Sequence, residues 1–215
     1  MLVNEIFHSL QGEGPDVGIP ATFLRLAKCN VRCSFCDTKY AFQDGEEIML
    51  SEVWARLMTH TKFIVVSGGE PLLQDEELGK LINLMRKQYY HFAVETNGTL
   101  PRPPWWKKVI WDVDCKCPSS GVKHFQHEWL SIGEKNRLKF VVSDKNDLEF
   151  VLGVVNSARH YELCPTLLVS PMIPIEGAGK EWLQTVWEFC VENNLRYSLQ
   201  IHKFVWGNQR GVLYE

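Results

Sequence analysis

What this chain lacks narrows it first. No apolar run approaches the ~20 residues that span a bilayer, and the opening Met-Leu-Val-Asn-Glu-Ile-Phe-His has no basic segment followed by a long apolar one. There is no excess of one charge: 23 Lys and Arg against 26 Asp and Glu leave −3, too little for a broad pull toward nucleic acid. Repeats, low-complexity tracts and composition breaks are missing, so a single domain over 1–215 is expected, and 45% hydrophobic residues can fill its core. Seven cysteines are an odd number. That does not suit a secreted disulfide framework and fits a reducing compartment, so the expectation is a cytoplasmic protein with no membrane and no direct nucleic-acid partner.

What is present is an alternation of short apolar runs and amphipathic segments. Strands are expected at Thr22–Leu26, Phe63–Val66, Phe92–Glu95, Val109–Val113, Leu138–Val142, Leu167–Val169 and Tyr197–Ile201. Helical stripes run through Leu78, Leu81, Ile82 and Met85; Leu148, Val151, Leu152 and Val155; and Leu183, Val186, Trp187 and Cys190, all read as core faces. Alternating strands and helices imply an α/β fold with a mostly parallel sheet whose ligands gather at the C-terminal strand ends. The residues are too few for eight βα units, and 99–108 and 118–132 read as irregular connections. An incomplete (β/α) barrel, open on one side, is the expected architecture.

Two motifs carry chemistry. Cys29, Cys33 and Cys36 follow the first predicted strand at spacings of four and three. Three thiolates can each take one iron of a cubane cluster, and the loop offers no fourth, which leaves an iron open to a substrate or cosubstrate. A zinc site or closed cluster would need a fourth ligand from Cys115, Cys117, Cys164, Cys190 or a histidine, and Cys115-Lys116-Cys117 is too tight for a good zinc knuckle. One βα unit on, Gly68-Gly69-Glu70-Pro71 ends the second strand. It is either a close approach of backbone to a ligand or simply a tight turn into a helix with Pro71 at its start.

The C-x3-C-x2-C spacing with Phe35 before the third cysteine resembles the radical S-adenosylmethionine (SAM) enzymes, and Gly68-Gly69-Glu70-Pro71 resembles the segment with which they hold the amino group of SAM. The run Glu5 to Gly14, then Gly18 to Arg25, resembles the opening of the 7-carboxy-7-deazaguanine synthases, the QueE family. So do Cys36-Asp37-Thr38, Glu95-Thr96-Asn97-Gly98-Thr99, Lys116 to Gly121 and the tail from Gln200 and His202 to Asn208. The resemblance implies an abbreviated radical SAM barrel, a homodimer, and conversion of 6-carboxy-5,6,7,8-tetrahydropterin to 7-carboxy-7-deazaguanine with loss of ammonia, a step toward 7-deazapurines including queuosine of transfer RNA. It implies a [4Fe–4S] cluster on Cys29, Cys33 and Cys36, SAM cleaved to a 5′-deoxyadenosyl radical that takes the C6 hydrogen and is later regenerated, a Mg²⁺ ion, and a flavodoxin-like or ferredoxin-like reductant.

Residue by residue, the resemblance implies Thr38 as Mg²⁺ ligand. It implies SAM contacts at Phe35, Asp37, Gly68, Gly69, Glu70, Gly98, Asp114, Cys115 and Lys116, with Cys115 standing where many relatives have proline. Substrate contacts are implied at Leu10, Gln11, Gly12, Glu13, Arg25 and Thr96. Gln11 and the backbone beside it suit the donor–acceptor edge of a pterin, and the fork of Arg25 suits a carboxylate, its bland alternative being a surface salt bridge. Two other classes are open on the residues: an activase that installs a glycyl radical on a partner enzyme, and a non-catalytic metal-binding module. The last residues, Val212-Leu213-Tyr214-Glu215, add a tail whose role varies among relatives.

Overall fold

The computed structural model describes residues 1–58, 61–173 and 179–207. Among these residues nine strands form one sheet: β1 (Leu2–Leu10), β2 (Pro20–Leu26), β3 (Glu46–Glu47), β4 (Phe63–Gly68), β5 (His91–Thr96), β6 (Ile110–Asp114), β7 (Arg137–Val142), β8 (Thr166–Pro171) and β9 (Arg196–Tyr197). Their order is β3-β1-β2-β4-β5-β6-β7-β8-β9. From β2 to β9 every neighbour is parallel, while β1 and β3 add an antiparallel edge, and the sheet stays open. Helices α1 (Leu50–Leu57), α2 (Asp75–Arg86), α3 (Lys145–Arg159), α4 (Lys180–Glu192) and α5 (Ile201–Trp206) complete it. The expected α/β architecture, an incomplete barrel open on one side, is what the chain forms.

The period of two along each strand divides the sheet into unlike faces. Leu24, Leu26, Ile64, Val66, Phe92, Val94, Trp111, Val113, Leu138, Phe140 and Val142 point into the large core under the helices. On the other face Ala21, Phe23, Val65 and Ala93 make a small second core with Phe7, Phe63 and Ile110. Further along the same face, toward the C-terminal strand ends, the residues turn polar: Arg25, Ser67, Glu95, Asp112, Asp114, Arg137 and Lys139. The barrel is thus apolar at its base and charged at its rim.

The helices form where the stripes predict. α2 opens on Asp75, Glu76 and Glu77 and ends at Arg86, complementing its dipole, and Leu78, Leu81, Ile82 and Met85 are all buried. Gly79 within it leaves room for the Trp105 ring, which a Cβ would approach to 2.5 Å. Two expectations are corrected, and one strand had not been expected. Trp187 is 58% exposed, because the buried stripe of α4 runs through Val186 and Cys190 with Trp182 and Phe189 beside the core. The strand expected at 197–201 stops at Tyr197: Gly14 N donates to Ser198 Oγ and Ile201 N to the carbonyl of Gly12, so this segment pairs with the loop after β1, and α5 follows. β1 itself gave no strand signal, since Asn4, Glu5, His8 and Ser9 interrupt its apolar positions on a half-buried edge.

Candidate active site

The three cysteines stand on the loop after β2, all reduced. Lys28, at φ +71°, turns the chain out of the strand, and its N–H is received by the carbonyl of Ala41 at 2.8 Å. Arg32 braces the loop from outside, donating to the carbonyls of Cys29 and Val31 at 2.8 Å and lying over the Phe42 ring. From below, Ser34 donates through its N–H to Ser120 O and through its hydroxyl to Ser119 O. Asp147 in the first turn of α3 holds that serine pair, receiving Ser119 N and Oγ at 3.0 and 2.5 Å and Ser143 N at 2.8 Å.

The glycine pair fits against this loop. Gly69 N donates to Leu26 O at 2.9 Å and Glu70 N to Lys28 O at 2.8 Å. A Cβ on Gly68, at φ +131°, would stand 2.1 Å from Leu26 O, and one on Gly69 1.9 Å from Lys28 O. Both glycines are therefore demanded by backbone meeting backbone, and both still face a cavity. Glu70 does not: it is fully buried and receives Leu72 N at 3.0 Å, Thr96 Oγ1 at 2.8 Å and Asn97 N at 2.8 Å. Burial raises its pKa, with those three donors opposing. It clamps the end of β5 to the turn after β4 and touches no open space.

Two contiguous cavities lie over the charged rim. One, of about 140 Å³, is walled by Cys29, Cys33 and Cys36 with Phe35, Gly68, Gly69, Thr96, Asp114, Lys116 and Lys139. The other, of about 200 Å³, is walled by Leu10, Gln11, Gly12 and Arg25, the stacked rings of Phe7 and Phe23, Tyr40, His202 and Trp206. Glu13, Asp37, Thr38, Ser67, Glu95 and Lys203 line both, so the two form one site with a seam. Of the residues singled out from sequence, Glu70, Gly98 and Cys115 line neither cavity, and Thr96 lies on the cysteine side.

The electrostatics are dense. Lys116 Nζ meets Asp114 at 2.8 Å, and although burial works against its charge, Asp114 above all keeps its pKa raised. Arg25 Nε donates to Glu5 Oε1 at 2.7 Å, which also receives the Tyr40 hydroxyl at 3.0 Å, with the guanidinium over the Phe7 and Tyr40 rings. Gln11 Oε1 receives the N–H groups of Gly12 and Glu13, and its Nε2 donates to Glu95. The Gln11 amide thus shapes its own loop. Thr38 Oγ1 donates to Asp37 at 2.8 Å, and Lys203 lies 3.2 Å from the other Asp37 oxygen. Desolvation opposes the Asp37 charge, yet Lys203 and Thr38 hold its pKa at about 2.

Burial raises the thiol pKa values of Cys33 and Cys36. Among the described residues no three His, Cys, Asp or Glu side chains converge as they would around one metal ion. Three thiols lining one cavity together with two glycines and a lysine suit a multi-iron cluster with a small molecule beside it. Glu95, Ser67, Lys139 and Lys203 were not singled out from sequence. The signal for the first three was there: a polar side chain at an alternate position of an otherwise apolar parallel strand is out of place unless its face borders a site.

A radical SAM superfamily profile matches residues 25–183. Among curated proteins, a 7-carboxy-7-deazaguanine synthase of Methanospirillum hungatei is 36% identical over 208 residues, covering 95% of this chain and 85% of the relative. One of Hyperthermus butylicus is 41% identical, covering 94% and 92%. In fold, the chain is similar to the crystal structure of QueE from Escherichia coli, with a TM-score of 0.75 at 24% identity and 92% of each chain covered. It is also similar to Streptococcus suis SuiB bound to S-adenosylmethionine, with a TM-score of 0.55 at 14% identity over 79% of this chain and 44% of that one.

Proposed function

The chain belongs to the radical SAM superfamily and, within it, to the 7-carboxy-7-deazaguanine synthases, and on that premise we propose what each part of the double cavity does. It is a radical SAM lyase of 7-deazapurine biosynthesis, converting 6-carboxy-5,6,7,8-tetrahydropterin to 7-carboxy-7-deazaguanine. The observation that supports the division of labour is the seam: a thiol-walled cavity opens directly into one floored by aromatic rings.

Cys29, Cys33 and Cys36 hold the [4Fe–4S] cluster, and Phe35, Gly68, Gly69, Asp114 and Lys116 receive SAM. Cluster and SAM together supply, when bound, the abstraction of a hydrogen atom that starts the rearrangement. The protein's part is placement, since a reactive species is useful only if one chosen hydrogen lies beside it. Phe7, Phe23, Tyr40 and Trp206 offer faces to a flat bicyclic ring. Glu13 and Glu95 accept from its N–H groups, the backbone from Leu10 to Gly12 meets its polar edge, and Arg25, oriented by Glu5, faces the substrate carboxylate.

Thr38 and Asp37 present oxygen donors at the seam and suit a Mg²⁺ ion completed by substrate and water. Around this site we place a homodimer of single-domain chains and a flavodoxin-like or ferredoxin-like reductant in the cytoplasm, feeding queuosine of transfer RNA. The residues 208–215 of the tail lie outside the described residues. Anaerobic incubation of reconstituted protein with 6-carboxytetrahydropterin, SAM and a reductant should release 7-carboxy-7-deazaguanine and ammonia with SAM regenerated. SAM cleavage that never consumes the pterin would overturn the substrate.

A further inference from the structure

Lys139 reaches the thiol-walled cavity from the inward face of β7 and pairs there with a residue of the seam. Its Nζ lies 2.6 Å from Glu13 Oε2 and 3.5 Å from Asp114 Oδ2. Glu13 belongs to the loop after β1 and walls both cavities, while Asp114 ends β6 and walls the thiol side. The other Glu13 oxygen receives Gln200 Nε2 at 2.8 Å, and the other close cation on Asp114 is Lys116. Lys139 is 12% exposed, so solvent does little to screen these pairs. Burial works against its charge, and Asp114, Glu13 and Glu95 outweigh it, keeping the ammonium charged. The same ammonium helps keep Glu13 and Asp114 ionised against their own burial.

One cation therefore fixes two carboxylates on different elements, one walling both cavities and one walling the SAM side alone. We propose that Lys139 is a positioning residue that couples the two subsites, holding Glu13 and Asp114 at one spacing so that pterin and SAM bind in mutual register. The proposal rests on the assignment of the two cavities above. Arg137, two residues earlier on the same face, fastens the same loop through Asp16 at 2.5 Å, which makes Lys139 the member of the pair that meets the site.

The test is equilibrium binding of SAM to anaerobically reconstituted protein by calorimetry, beside steady-state KM for the pterin, with cluster absorbance as the control for folding. Lys139→Met should weaken SAM binding and raise the pterin KM, each by roughly tenfold or more, at full cluster loading. Lys139→Arg should restore most of both. Glu13→Gln, at a residue that walls both cavities, should weaken SAM binding in the wild-type background and do so less in Lys139→Met. Unchanged SAM affinity in Lys139→Met, or a Glu13→Gln effect on SAM as large without Lys139 as with it, overturns the coupling. If the wild type binds SAM and ignores the pterin, the substrate assignment fails, and the two SAM arms still decide the role of Lys139.

Discussion

At the scale of single residues, the arrangement separates groups that touch reactants from groups that hold other groups. On the proposed reading Thr38 is of the first kind: Thr38→Ala should raise the Mg²⁺ concentration for half-maximal turnover several-fold and leave iron content unchanged, measured by metal titration of activity and by iron analysis. Gly69 is of the second. A methyl group placed 1.9 Å from Lys28 O must displace the start of the cysteine loop, since the obstacle is backbone. Gly69→Ala is expected to cost roughly 1–3 kcal/mol or more, read from urea midpoints, and to lower iron per chain. Arg25 lies between the two kinds. Its Nε is taken by Glu5, so Glu5→Gln should weaken pterin use by misaiming the guanidinium, a smaller loss than that of Arg25→Ala.

At the scale of elements, the cysteine loop is held by neighbours that contribute no ligand. The first turn of α3 reaches it through Asp147, then Ser119 and Ser120, then Ser34. Removing a buried carboxylate that receives three donors leaves them unsatisfied, at about 1–3 kcal/mol each. Asp147→Ala should therefore lose its cluster to a chelator faster than wild type while keeping the sheet, and a wild-type rate of iron release would refute the brace. The periodic elements were readable because their burial follows the simple repeats of helix and parallel strand: the stripe of α2 and most strand cores are where the pattern puts them, and that of α3 is so except at Leu152, which is only partly buried. α1 carried the same stripe in Leu50, Val53, Trp54 and Leu57 and was passed over. β1 and the segment after Tyr197 were unreadable for another reason, since their partners are long-range and their own apolar period is broken.

At the scale of the whole molecule, the motifs announced the thiol half of the site, and the charges that join it to the second half were hidden as lone polar positions in apolar strands. A neighbouring charge on the same face gives the fold a pH dependence. Asp112, buried beside Arg137 at 3.4 Å, has its pKa pushed up to about 7 from 3.8, burial and Glu95 outweighing the cations. Between those values the folded chain keeps a proton that the unfolded chain has released, so this group's stabilising contribution is present at low pH and is lost as pH rises to neutrality. Asp112→Asn should flatten that decline when urea midpoints are compared at pH 5 and pH 8. The raised thiol pKa values of Cys33 and Cys36 run the other way for assembly: cluster loading must displace their protons, and so should speed up from pH 7 to pH 8.5 in anaerobic reconstitution.

The pairing of the loop after β1 with Ser198, Gln200 and Ile201 has a consequence during synthesis. At roughly 5–20 residues per second, the ribosome takes on the order of ten seconds to go from Cys36 to Lys203. Through that interval the cysteines are already made while the wall that closes over the seam is not, so a nascent chain carries three bare thiols in an unfinished cavity. Translation speed adds to the time these thiols spend exposed, and slow codons late in the message would lengthen it.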